Sequence, residues 1–411
     1  MTARSAPVDT RRNASVDTRR NAPVDILRGA AIALVLLLHF SLTYRLSRSP
    51  LADAIGADAV RAVVNNGNYG VTMFFVVSGY LITSNALHRW GTLSAIDLRA
   101  FWLTRAARIL PPLLLALALI VGFGLAGLPS FGNSVRGQAL PAAFGWLAIG
   151  SVLTFTHNLL MQSVGYFNYC LNIYWSLSVE EVFYLGFPLL CVLAKRRVLV
   201  VAACLAAIAI GPLYRSAHAD DELFFMVGYA ACFDAIAFGV LAALLAQTVP
   251  PPARAARTIG VAGAFALAAA YLAGIGGHEV FGFSAVAACA ALIVWATSAA
   301  GAGASAGWAA ARAFAPLRWA GRHSYELYLF HIVVLALMRD VLPRDQLGFA
   351  WKLPWLLVFI AASALVAQVV ARCFSEPINA ALRRRFDRAH ATTRGVRPVF
   401  SSRRGLNGTL P

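Results

Sequence analysis

Lysine is nearly absent from this 411-residue chain: Lys195 and Lys352 are its only two, so 33 of the 35 Lys and Arg residues are Arg. Charge of either sign is scarce, at 13% of residues against 59% hydrophobic, and the mean hydropathy is +0.68. Two or three soluble domains of this length are excluded by that balance. A net charge of +17 suggests nucleic acid as a partner, but the Arg residues lie between apolar stretches instead of gathering on one folded surface, which excludes that class. Cysteine is sparse too. Cys170, Cys191, Cys204, Cys232, Cys289 and Cys373 stand singly with no CxxC pair, so neither a disulfide framework nor a metal site is expected. No cleavable signal peptide is visible, because the first apolar run follows a polar, Arg-rich leader.

What the chain has in abundance is apolar runs. Eleven segments approach the roughly 20 residues that a bilayer-spanning helix needs: approximately 28 to 44, 69 to 87, 109 to 127, 143 to 160, 176 to 194, 198 to 213, 224 to 246, 258 to 274, 281 to 300, 323 to 341 and 353 to 373. None alternates in and out as a barrel strand does. The expected fold is all-α, a polytopic membrane helix bundle embedded in the lipid bilayer. If all eleven cross with the N-terminus inside, 14 Lys and Arg lie on the inner side and 21 outside, which inverts the positive-inside rule. If the segment holding His157 and Asn158 does not cross, the count becomes 27 inside and 8 outside. About ten spans, with both termini cytoplasmic, is therefore the expectation. Residues 1–23 are expected to form a disordered leader, in which APVDTRRN, ASVDTRRN and APVDILRG begin at Ala6, Ala14 and Ala22; residues 24–378 the membrane domain; and residues 379–411 a basic cytoplasmic tail.

Ionisable side chains at membrane depth are costly and mark functional positions. Arg28 and His39 are eleven residues apart, close to three turns, and so share one helix face about 16 Å apart. Ser78 and Gly79 form a small step in VTMFFVVSGYLIT, where a backbone or ligand can approach closely. Arg105 and Arg108, at i and i+3 before a span, suit phosphate binding at the cytoplasmic mouth. In YWSLSVEEVFYLGFP, Ser176 and Glu180 share a face while Glu181 points roughly 100° away, which makes Glu180 the better member of a shared site. Asp234, and Ser324 with His331 seven residues later, complete the set. A proton-coupled transporter or flippase is a second class that such residues fit, although the two halves of the chain show no inverted repeat.

These residues also occur in a recognisable order. DILRGAAIALVLLLHF, FFVVSGYLIT, RAARILPP, WSLSVEEVFYLGFP, FDAIAFG and SYELYLFHI follow one another between about residues 24 and 378, and with them the chain resembles the acyltransferase-3 family of membrane acyltransferases, in a form without an appended SGNH-type hydrolase domain. The resemblance implies transfer of an acyl group, commonly acetyl, from acyl-CoA as co-substrate, with no bound cofactor, to a hydroxyl of a carbohydrate or glycoconjugate such as O-antigen or exopolysaccharide. His39 is then the expected general base and Glu180 the carboxylate that orients it. Arg28, Arg105 and Arg108 are expected to hold the CoA phosphates, and Ser78, Ser176, Glu181, Tyr325, His331 and Asp234 to line the substrate site. Abundant Ala and the preference for Arg over Lys suit a GC-rich genome, which makes a bacterial inner membrane the expected location.

Overall fold

The computed structural model describes residues 21–298 and 312–393. The repeated leader up to residue 20 and the last eighteen residues of the expected tail lie outside the described residues. Seventeen α-helices follow one another: α1 Ala22–Tyr44, α2 Pro50–Ile55, α3 Ala57–Val64, α4 Tyr69–Trp90, α5 Leu98–Leu125, α6 Ala142–Leu153, α7 His157–Val164, α8 Trp175–Ala194, α9 Arg197–Ala217, α10 Glu222–Val227, α11 Tyr229–Thr248, α12 Ala253–Ala273, α13 Glu279–Ser298, α14 Ala315–Arg322, α15 Ser324–Val341, α16 Lys352–Val370 and α17 Glu376–Thr393. The two strands described, Ser134–Val135 and Gln138–Ala139, form a hairpin turned by Arg136 and Gly137 in the left-handed region.

Among the described residues, nine helical stretches are long and apolar enough to cross a membrane. Helix α15 has the length but carries Glu326, Arg339 and Asp340 near its ends. It packs against α1, α5 and α16, within the bundle that the nine build. The segment expected from 143 to 160 is broken at Phe155, whose φ of 59° ends α6; neither α6, at 12 residues, nor α7, at 8, reaches a span's length. This is the segment that charge asymmetry marks as not crossing.

Helices α1 and α5 begin well before their apolar runs, expected from 28 and 109. Helix α1 starts at Ala22, with Pro23 in its first turn where a missing N–H costs nothing, so Arg28 lies two turns inside it and not at its end. Helix α5 starts at Leu98, capped by the Asp97 carboxylate on the Ala100 N–H, and runs straight through Pro111 and Pro112. Arg105 and Arg108 therefore lie within α5, with the i, i+3 spacing of one helix face. The prolines withhold the N–H groups that the Ala107 and Arg108 carbonyls would accept; neighbouring helices make such positions tolerable in membranes.

Small residues set the closest approaches. A Cβ on Gly79 would strike the Ile236 carbonyl of α11, and one on Gly239 the Val76 carbonyl of α4. These two helices can touch backbone to backbone only because both positions are glycine. With Gly79 spent on packing, Ser78 beside it faces the interior.

Candidate active site

A cavity of about 120 Å³ opens between α1, α4, α5, α8 and α15. Arg28, Ser78, Arg105, Arg108, Ser176, Glu180, Glu181 and Tyr325, eight of the residues expected in the site, all line it. Arg108 and Asn85 are exposed and mark its mouth, whereas Ser176 and Glu181 are buried.

Each group is set by a neighbour. The Arg28 guanidinium donates to the Ser324 hydroxyl at 2.7 Å, linking the second turn of α1 to the first residue of α15. Arg105 places its guanidinium carbon 5.5 Å from the Tyr184 ring centre and 5.8 Å from that of Phe101, a cation resting on two aromatic faces. Tyr184 donates a short hydrogen bond to Glu180 and is itself 2.6 Å from the Ser78 hydroxyl, so Ser78 donates in turn. Trp102 holds the backbone beneath by donating to the Tyr184 carbonyl at 3.2 Å. Tyr325 donates to the Ile109 carbonyl at 2.9 Å, tying α15 to α5 just before the proline pair.

Glu181 also lines the cavity, although its side chain leaves α8 on a different face from Glu180. The cavity wraps far enough around α8 to take in both directions, so the roughly 100° between neighbouring helical residues does not separate them. One Glu181 carboxylate oxygen is buried without a hydrogen-bond partner. Among the described residues, no ion pair joins either carboxylate to Arg28, Arg105 or Arg108. Three cations and two carboxylates thus share one recess with no ion pair between them, and the guanidinium N–H groups not spent on Ser324 can receive an anion.

His39 does not line this cavity, and Glu180 is not its partner. Glu180 is taken by Tyr184, a turn further along α8, whereas His39 lies about 16 Å along α1 from Arg28. The His39 imidazole meets His331 of α15 instead: His39 Nδ1 and His331 Nε2 are 3.2 Å apart, and the ring centres 5.0 Å. Tyr328 links the two regions. It lines the cavity, its hydroxyl is 2.5 Å from that of Ser176, and its ring centre lies 6.0 Å from that of His331. Beyond the histidines, Thr43 donates to the His39 carbonyl and sits 2.6 Å from the Tyr169 hydroxyl, whose ring carries Arg339 at 4.9 Å.

Asp234 lies elsewhere. It is 1% exposed and ion-paired at 2.7 Å with Arg215, which is 0% exposed and also donates to Ser284 and to the carbonyls of Val280 and Ala231. The pair binds α9, α11 and α13 together, away from the main cavity. Arg215 lies inside α9, because that helix continues past Pro212 to Ala217, beyond the apolar run expected to end near 213. Tyr184 and Tyr328 are not singled out by the sequence, where aromatic residues on an apolar helix read as core. The available signal is spacing: Tyr184 is i+4 from Glu180, and Tyr328 is three residues before His331.

The acyltransferase domain model of the acyltransferase-3 group matches residues 21–372, nearly the whole described chain. The chain belongs to the acyltransferase-3 family. Within curated proteins, this acyltransferase-3 member is 26% identical over 372 residues to the peptidoglycan O-acetyltransferase OatA of Listeria monocytogenes, covering 82% of this chain and 57% of that protein. It is 33% identical over 156 residues to the O-acetyltransferase OatA of Staphylococcus aureus, covering 34% of this chain and 24% of that one. The matched region thus spans little more than half the length of the first relative. No solved structure matches the chain.

Proposed function

We propose that this protein moves an acyl group, acetyl in the first instance, from acyl-CoA to a hydroxyl of a cell-envelope carbohydrate. The observation that carries this reading is the cavity in which Arg28, Arg105 and Arg108 converge with no ion-pair partner among the described residues. Such a recess suits the phosphates of the donor. The pantetheine arm would extend past Tyr328 toward His39, a gap of about 16 Å along α1 that an extended arm spans.

The sugar hydroxyl attacks the thioester carbon: an O–C bond forms and the C–S bond breaks. The hydroxyl proton passes to His39 Nε2 and then to the departing thiolate, leaving an ester and free CoA. His39 serves as base because an imidazole nitrogen can take up a proton and return it, and its Nε2 has no protein partner among the described residues. Family membership favours this enzyme over a proton-coupled transporter of the same residues. The relatives' names point to peptidoglycan as the first acceptor to test, ahead of the O-antigen or exopolysaccharide expected from sequence. A bacterial inner membrane with cytoplasmic termini is the setting that puts the Arg cluster on the side where CoA is found.

Purified protein in vesicles, given acetyl-CoA labelled in the acetyl group, should release CoA and label peptidoglycan fragments. His39→Ala should lower that rate about a hundred- to ten-thousandfold with unchanged membrane insertion. Absence of CoA release and of labelled glycan from wild-type protein would remove the enzymatic reading, and near-wild-type turnover by His39→Ala would remove the base.

A further inference from the structure

We infer that His331 is the residue that orients His39 and stabilises its charged form, the part that sequence pattern assigns to Glu180; this rests on the proposed acyl transfer. Both imidazoles place Nδ1 2.9 Å from the carbonyl four residues earlier on their own helix, His39 on Val35 and His331 on Leu327. A carbonyl oxygen only accepts, so each Nδ1 carries its ring's proton and each neutral ring keeps its lone pair on Nε2. The two carbonyls assign both tautomers.

The contact between the rings then has one direction. His39 Nδ1–H, already turned to Val35, is shared with the His331 Nε2 lone pair 3.2 Å away. His331 is the acceptor and His39 the donor. His39 is half-buried with Nε2 unpartnered, whereas His331 is 0% exposed, held by Leu327 and packed beside Tyr328. Of the two rings, His39 is the one with an unpartnered Nε2 and the less buried side chain.

When His39 Nε2 takes the hydroxyl proton, the ring becomes a cation and its Nδ1–H a stronger donor to His331. A carboxylate fills that place in other acyl-transfer sites. Among the described residues, no carboxylate hydrogen-bonds either ring; the groups beside the pair are the Tyr328 ring and, through Thr43, Tyr169 with Arg339. A neutral acceptor fits a resting site at this depth, since a buried carboxylate beside a neutral imidazole would be an uncompensated charge. The relay also ends at His331, because its Nδ1–H is already spent on Leu327. The proton therefore stays on His39, available to the thiolate.

Two substitutions and one spectrum test the assignment. His331→Leu removes the acceptor while remaining apolar, and should lower kcat about ten- to a hundredfold with donor and acceptor KM little changed. His331→Gln, whose amide oxygen reaches the place of Nε2, should recover most of that loss. Nitrogen-15 NMR of wild-type protein labelled at histidine should find both His39 and His331 protonated at Nδ1 in the resting state. A proton on His331 Nε2, wild-type kcat in His331→Leu, or a loss in His331→Gln equal to that in His331→Leu would each overturn the proposal. The spectrum needs no turnover and so decides the hydrogen bond even if wild-type protein transfers no acyl group, an outcome that sinks the functional reading instead.

Discussion

Arg28, Arg105 and Arg108 face one cavity but are held differently, and the difference predicts how each behaves when changed. Arg28 is tethered to Ser324, Arg105 rests on two aromatic rings, and Arg108 is exposed at the mouth. A hydrogen bond to a charged group contributes about 1.5–3 kcal/mol, roughly ten- to a hundredfold in binding. Arg105→Ala and Arg108→Ala should each raise the donor KM by that order while moving the acceptor KM much less. Lysine should rescue position 108 better than position 105, because an ammonium keeps the charge but loses the flat guanidinium that stacks on Tyr184 and Phe101. Steady-state kinetics with varied acetyl-CoA decides it: unchanged donor KM in both alanine variants would leave these residues as topology markers alone.

At the level of elements, the Arg215–Asp234 pair and the glycine contacts do separate jobs. Gly79 and Gly239 let α4 and α11 meet backbone to backbone, while Arg215 carries a charge into the bundle solely in company with Asp234, Ser284 and two carbonyls. Breaking a buried pair by removing one partner costs about 3–5 kcal/mol, whereas replacing both with apolar side chains is often neutral. Asp234→Ala should therefore lower the thermal unfolding midpoint in detergent far more than the double variant Arg215→Met with Asp234→Leu. Donor KM in the double variant should equal that of wild type. A shifted donor KM there would return Asp234 to the substrate site from which the geometry separates it.

For the molecule as a whole, the break at Phe155 leaves α6 and α7 each too short to span a bilayer, which bears on the side that every later loop faces. If α6 and α7 do not cross and α15 does, the positive-inside rule assigns 27 of the 35 Lys and Arg to the cytoplasmic side. On that topology the proposed reaction is two-sided: the Arg cavity opens to cytoplasmic CoA, and a carbohydrate approaches His39 from outside. Single cysteines at Ser163 and Ser94, both exposed, in a protein cleared of its own six cysteines, test this directly. An impermeant thiol reagent should label Ser163→Cys in intact cells and Ser94→Cys only after the membrane is opened. Labelling of Ser163→Cys only in opened membranes would replace the two-sided site with a wholly cytoplasmic one.

By itself the sequence determined what depends on neighbours along the chain: the apolar runs, the weak segment before α8, and the Arg28–His39 and Ser176–Glu180 faces that follow from 3.6 residues per turn. It also carried the order of motifs that marks the family. Tertiary structure alone decided the partners across helices. It took Glu180 away from His39 and gave it to Tyr184, set His331 against His39, and paired Asp234 with Arg215, which lies just past the apolar run ending near 213. The reason is the solvent: lipid is as apolar as a bundle core, so helices such as α11 and α13 are apolar on every face and carry no stripe to say which side is buried. Which polar side chain meets which is then settled only by how all the helices pack, through contacts between residues as far apart as positions 39 and 331.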